Sequence, residues 1–313
     1  MPVTGQTNPE LFPLYYERKL LEYVRENLVA TKYGQRFTLP PNAGRTAVFT
    51  RFQPLSVSTT PLTDQPTPSS GASMSTQQIQ AQIQEYGNYI DLDEFTDITS
   101  FTPLVDAATD LLSYNAQQTL DRVTLSELSQ GTNVLYAGGV SGRSALDGTK
   151  KLSKTDIRKA SALLQRQNIQ PFQDGYYIAI LHPDKLLDLF TDTELIQLAI
   201  ASKDILEKGV VGQYGGVKFV VSTTAPVLAG AGGINSDVYQ TIVLGMNAYG
   251  VVDLDGTTLQ MTYTNLDKLG RIKTIGWKTY FTAKRLYEPA IGHLSRELCL
   301  SIKFFHKNLL QFI

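Results

Sequence analysis

Residues 136–151, YAGGVSGRSALDGTKK, bring glycines and lysines together in the manner of a phosphate-binding loop. Such a loop needs two glycines five positions apart, then Lys and Ser or Thr, so that backbone amides cradle the phosphates while the ammonium reaches over them. Here Ala137 stands five positions before Gly142, which is followed by Arg143-Ser144, and Gly148 precedes Thr149-Lys150 in reversed order. The stretch therefore reads as a flexible connection. In GAGGIN, from Gly230, Asn235 occupies the place of the third glycine of a dinucleotide fingerprint, which leaves a loop. A nucleophile elbow is also missing, because Gly139-Val140-Ser141 runs directly into Gly142.

The remaining reactive side chains are scattered. His182, His293 and His306 have no ligand-type spacing and read as structural histidines. Asp91, Asp93, Glu94 and Asp97 form an acidic cluster that would suit a divalent cation, or a solvated or arginine-paired edge. The cluster lacks the glycine and terminal glutamate of an EF-hand loop. Cys299, the single cysteine, excludes an internal disulfide and has no basic neighbour to activate it as a nucleophile. No catalytic, cofactor-binding or metal-ligating residue is assigned.

The elements that carry these residues alternate irregularly. Residues 11–28, LFPLYYERKLLEYVRENL, space Leu14, Leu20, Leu21, Val24 and Leu28 along one helical face from about Pro13. This helix needs a packing partner and is followed by Pro40, Pro41 and Gly44, so it reads as an arm. TAVFTRF (46–52) and QQIQAQIQEYGNYI (77–90) read as extended runs; in the second, Ile79, Ala81 and Ile83 alternate with glutamines. The Pro/Ser/Thr-rich linker between them is long for a compact hairpin, which predicts a projecting two-stranded finger.

Phe101-Thr102-Pro103 predicts the start of a long helix, with Thr102 as cap and Pro103 in the first helical position. Leu104, Ala108, Leu111, Ala116, Leu120, Val123 and Leu128 continue it to a stop at Gly131, roughly 40 Å on. Ser153 and Asp156 predict a capping box for a helix reaching about Asn168. Strands are expected at 176–181, 217–222, 238–244, 259–263 and 274–286, with helical turns from His182-Pro183 and over 193–208. This mixture is α+β.

Of the 313 residues, 42% are apolar and 18% charged. That charge is low against the usual figure of about 25%. It fits a surface largely covered by neighbours, and equally an ordinary weakly charged protein. The net charge of -1 gives no global field for nucleic acid. Charge is segregated, however: residues 51–130 hold 2 basic and 10 acidic side chains, and residues 265–313 hold 9 basic and 3 acidic. The two regions would pair within one chain or between chains. No apolar run is long enough to span a membrane and no leader pattern is present, so synthesis in a reducing cytoplasm is expected.

Several passages resemble major capsid proteins of tailed bacteriophages with the HK-97-type fold, most closely the capsid family of phages like coliphage N-4. They are EYGNYIDLDEFTDITSFTPL (85–104), GTNVLYAGG (131–139), DGYYIAILHPDKLLDL (174–189), YGGVKFVVS (214–222), TIVLGMNAYGVV (241–252) and GRIKTIGWKTYFTAKRL (270–286). The resemblance extends over roughly residues 14–290, and the tail after about Arg296 passes beyond it.

The resemblance implies an α+β HK-97-like subunit in five parts. These are an N-terminal arm (1–45), an extended β-hairpin or E-loop (46–90), a peripheral or P domain with the spine helix (91–140 and 255–295), an axial or A domain (141–254) and a C-terminal tail (296–313). It implies a structural protein with no cofactor, assembling as a homo-oligomer of hexamers and pentamers into the icosahedral capsid of a virion. Its partners would be a portal, scaffold or cement proteins, and packaged double-stranded DNA held non-specifically; no membrane is involved. The candidates for inter-subunit contact are Leu20, Tyr23, Ile79, Ile83, Asp91, Asp93, Glu94, Arg271, Lys273, Trp277, Phe304 and Phe312. Some relatives weld their shells through a finger lysine; here no lysine occurs between Lys32 and Lys150, so no such weld is expected. An encapsulin-like compartment of the same fold, or a soluble enzyme, is the alternative reading.

Overall fold

The structure, a computed structural model, describes residues 29–57, 59, 73–100, 103–146, 151–190, 212–233, 236–254, 259–267 and 269–297. The arm helix read over 11–28, Thr102, the helix read near 193–208 and the apolar tail lie outside them. In chain order the strands are β1 (Gln35–Leu39), β2 (Thr46–Phe52), β3 (Thr76–Gln82), β4 (Gln84–Asp93), β5 (Val134–Tyr136), β6 (Tyr177–Leu181) and β7 (Gln213–Tyr214). Then come β8 (Val217–Val221), β9 (Val227–Leu228), β10 (Val238–Leu244), β11 (Tyr249–Leu254), β12 (Gln260–Asn265), β13 (Ile272–Arg285) and β14 (Ile291–Glu297). The α-helices are α1 (Glu94–Thr99), α2 (Leu104–Ser129), α3 (Lys154–Arg166) and α4 (Pro183–Phe190).

Contacts divide the chain into two units, the first running to Gln130 and resuming over Asn247–Glu288, the second made of Gly131–Met246 and the chain from Pro289. The divisions fall at 130/131, 246/247 and 288/289, where the sequence reading drew 140/141, 254/255 and 295/296. The reason is pairing: β5 joins β14 in the second unit, while β11 joins β13 in the first.

In the first unit, the 14-residue β13 organises the sheet. One edge pairs antiparallel with β4 from Ile272↔Asp93 to Phe281↔Gln84. The other takes β12 along its first half and β11 along its second, and β1 runs parallel to β11. Helix α2 packs on β13 and β4. Its buried face combines Ala108, Leu112, Ala116, Leu120, Leu125 and Leu128 with Thr109, Ser113, Asp121 and Thr124. A buried hydroxyl is costly unless bonded. Thr109, Ser113 and Thr124 meet that demand by donating to the carbonyls four residues back, at 2.8, 2.7 and 2.9 Å.

Two expectations for this helix need correction. Pro103 is the N-cap, not the first helical residue, and its carbonyl accepts from Ala107 N at 3.2 Å. Leu111, counted on the apolar spacing, is 64% exposed, because the face turned inward passes through Leu112.

The finger is present as the β2–β3 pair, in register from Thr46↔Gln82 to Phe52↔Thr76. The run read as one strand over 77–90 is broken at Ile83: β3 stays with β2, and β4 crosses to β13. The break allows Ile83 to enter a core cluster with Leu39, Ala47, Phe49, Ala81 and Val252. Gly250 is required there, since a Cβ would stand 2.6 Å from Phe49 Cζ.

The second unit is a seven-stranded sheet in the order β5-β14-β10-β6-β8-β7, with β9 on β10. Every residue of β6, YIAIL, is buried, as expected of a central strand. The capping box of α3 is present, with Ser153 Oγ accepting from Asp156 N and the Asp156 carboxylate accepting in return from Ser153 N. Asn168, in the left-handed region at φ 55°, ends that segment.

Candidate contact surfaces

The acidic cluster does not converge on one point. Asp91 accepts a 2.6 Å hydrogen bond from Thr274 Oγ1, Asp93 caps α1 by accepting from Thr96 N and Oγ1, and Glu94 pairs with Lys273 at 3.6 Å. Among the described residues no group of three or more His, Cys, Asp or Glu side chains stands ready for a metal ion. His182 Nδ1 lies 3.2 Å from Asp184 and its ring packs edge-on against Tyr239, and His293 is buried with its amide on Asn133 O. Gly139, Val140 and Ser141 line a cavity of about 360 Å³ in the second unit with Asp156 and Lys159; Asp156 is already engaged by Ser153. Nothing in this cavity pairs a nucleophile with a base.

Extended surfaces are more informative. Among the described residues, the finger has a docked root and an exposed outer part. At the root, Phe49 and Ile83 are buried, Ile79 packs partly buried against them, and the Arg51 guanidinium lies 3.2 Å from the centroid of the Tyr287 ring. Beyond Arg51, Phe52, Leu55 and Met74 are exposed, and Val57 is 88% exposed. Large apolar side chains exposed together in one segment are what a covered surface needs and a free one avoids.

A second apolar group lies at the end of the first unit's sheet where β4 meets α1. Phe95 and Ile98 of α1 are 75% and 76% exposed; Leu266 and Leu269, just before β13, are exposed as well. The Glu94 amide donates to Arg271 O at 2.7 Å, so α1 and the turn into β13 are joined. Arg271 pairs with Asp267 at 2.6 Å. Sequence reasoning chose the charged residues here and missed the apolar ones. The available signal was composition: DEFTDITS and NLDKLG are too short and polar to bury Phe95, Ile98, Leu266 and Leu269 locally.

Trp277 is 2% exposed, and its Nε1 donates to Asn115 Oδ1 of α2 at 3.2 Å, so it belongs to the unit's interior. Of the two pairings open to the segregated charges, the one within a chain is realised at Lys273–Glu94, Lys284–Glu127 and Arg285–Glu127. Leu20, Tyr23, Phe304 and Phe312 lie outside the described residues.

A family model described as phage capsid protein matches residues 76–288. No curated protein matches the chain. Among solved structures, the capsid of Ralstonia phage GP4 superposes with a TM-score of 0.72 at 14% identity, covering 87% of this chain and 89% of that one. The capsid of cyanophage P-SCSP1u gives 0.68 at 13%, covering 87% and 88%. The capsid asymmetric unit of cyanophage Pam1 gives 0.66 at 13%, covering 95% and 98%. At these identities the likeness is one of fold.

Proposed function

Because the chain belongs to the phage capsid protein family and is a structural protein of the HK-97-like fold, not an enzyme, we propose a specific way in which it builds the virion shell. That it is a major capsid protein, and so assembles with copies of itself, follows from the family. The proposal concerns the surfaces and the partners. The finger lies over a neighbouring subunit, with Phe52, Leu55, Val57 and Met74 as its contact residues. The first unit serves as the peripheral domain and the second as the axial domain, gathered around the axis of a hexamer or pentamer.

The end of the sheet at Phe95, Ile98, Leu266 and Leu269, bordered by Asp91, Asp93, Glu94, Arg271 and Lys273, forms a second contact between subunits. The arm, through Leu20 and Tyr23, and the tail, through Phe304 and Phe312, wrap neighbours. The shell is icosahedral, assembles in the host cytoplasm with a portal and a scaffold or cement protein, and holds double-stranded DNA through scattered Lys and Arg without reading its sequence. Within the family, the motifs quoted above favour the branch of phages like coliphage N-4.

One observation carries this reading: among the described residues, the finger is anchored on its own unit at the root, while Phe52, Leu55, Val57 and Met74 further out are exposed. Sizing and negative-stain microscopy of the expressed full chain test it. Closed shells, or hexameric and pentameric capsomers, are expected. A monodisperse monomer or dimer that stays small with its scaffold would overturn it.

A further inference from the structure

Residues 29–31, the first described residues of the chain, are held by a buried carboxylate. Asp121, on the inner face of α2, is 1% exposed. Its Oδ1 accepts from Ala30 N at 3.0 Å and its Oδ2 from Val29 N at 3.3 Å, and the Thr31 amide donates to it as well. Three consecutive amides thus converge on one side chain, in the manner of a helix cap supplied from elsewhere in the chain, and they open the single 3-10 turn Thr31–Tyr33. From the other side Tyr249 of β11, itself buried, donates its hydroxyl to the Ala30 carbonyl. Gly34 closes the passage: a Cβ there would stand 2.6 Å from Val251 Cγ2 and 2.7 Å from Tyr249 Cε2.

Core packing does not call for a carboxylate at this place, since an apolar side chain would fill it without the cost of desolvating a charge. Among the described residues, Asp121 is not part of an ion-pair ladder on the helix. Lys284 and Arg285 of β13 pair with Glu127, further along α2. Arg36 of β1 and the Tyr33 hydroxyl act on Tyr249. Among the described residues, the groups that answer Asp121 are the amides of Val29, Ala30 and Thr31.

We propose that Asp121 and Tyr249 form a clamp that fixes the course of the chain at residues 29–31, and that shell assembly depends on Asp121 through the residues that precede them. The inference rests on the reading of this chain as a shell subunit whose N-terminal residues wrap a neighbour. Asp121 is a positioning residue: it touches only its own chain and acts through what it aims.

The test combines hydrogen exchange on the unassembled full-length protein with the yield of closed shells, for wild type, Asp121→Ala, Asp121→Asn and Tyr249→Phe. In Asp121→Ala, exchange at Val29–Thr31 should rise by roughly tenfold or more, while the amides of Ile275–Phe281 in β13 keep their protection. Shell yield should fall with it. Asp121→Asn, which retains one carbonyl acceptor, should be intermediate in both readouts, and Tyr249→Phe should loosen the same residues.

Unchanged exchange at 29–31 would overturn the clamp. So would loss of β13 protection in step with it in both Asp121 variants, which would make Asp121 a general core residue. Local loosening with wild-type shell yield would overturn the link to assembly. A wild-type chain that forms no shells under any condition would instead count against the proposed function, and the exchange pattern would then decide the clamp alone.

Discussion

Trp277 joins sheet to helix with both its surface and its one polar atom. The ring is buried between β13 and α2, and Nε1 donates to Asn115, whose oxygen also accepts from Asn88 Nδ2 at 3.3 Å. Trp277→Phe keeps most of the apolar area and leaves Asn115 its second donor, so it should cost about 1 kcal/mol. Trp277→Ala empties the site and should cost about 3–5 kcal/mol. Denaturant unfolding of the unassembled subunit checks both values, and a similar loss in the two variants would mean that the hydrogen bond outweighs packing.

Asp121 makes a residue-scale prediction of a different kind. Burial holds its carboxyl above the usual carboxylate range, against the three amides that pull it down. The folded chain therefore binds this proton at a pH where the unfolded chain has released it. The resulting stabilisation is fully present below the unfolded value of about 3.9, and it is lost as pH rises through the folded value. Asp121→Asn does not titrate. Its unfolding midpoint relative to wild type should therefore improve as pH rises above the unfolded value of about 3.9. A relative decline over that rise would show that the amides dominate and that the folded value lies low.

At the scale of elements, α2 shows what periodicity resolves and what it leaves open. Its existence, length and end were legible, because apolar residues recur at helical spacing as far as Gly131. Which leucine of the Leu111-Leu112 pair turns inward was not legible. The inner face is completed by Thr109, Ser113, Asp121 and Thr124, whose polarity places them outside any apolar pattern. The structure therefore separates neighbours: Leu112→Ala should cost about 2–5 kcal/mol, and Leu111→Ala should stay within about 0.5 kcal/mol. Thermal unfolding of the unassembled subunit measures both, and equal losses would refute this rotation of the helix.

The same reasoning explains the other gains and misses. Ser153 and Asp156 could be read because a capping box is local chemistry. The break at Ile83 could not, since alternation continues on both sides and only the partners differ, β2 for one half and β13 for the other. β1 and β14 went unread for a related reason: each acquires its meaning from a distant strand, β11 and β10 respectively. Of the candidate contacts, the charged residues at the end of β4 stood out in the sequence. The apolar side chains beside them did not, because exposure is a property of the folded unit.

Taken as a whole molecule, the proposed reading separates surfaces that hold the subunit from surfaces that would meet other copies. On that reading the finger root is of the first kind and its exposed outer residues are of the second. Phe52→Asp with Val57→Asp should leave subunit unfolding unchanged within about 0.5 kcal/mol, because both side chains already face solvent. It should nevertheless abolish closed shells, since the contact would have to bury two carboxylates without partners. Sizing and microscopy distinguish the outcomes, and wild-type shells from the double variant would remove the finger end from the interface.

The same finger bears on how the finished shell is held. A covalent weld from it requires a lysine amine, and the sequence holds none from residue 33 to residue 149, which includes β2, β3 and the whole linker. Cys299, the only cysteine, allows at most one disulfide per pair of chains. On the proposed reading, cohesion comes from apolar burial and ion pairs repeated over many copies, each weak and reversible. Mature shells boiled in reducing detergent should release a single band at the chain mass of 34.6 kDa, with no ladder of multiples. A ladder that survives reduction would require an amine or acyl donor outside the finger, and would transfer the holding of the shell from the surfaces described here to a bond formed after assembly.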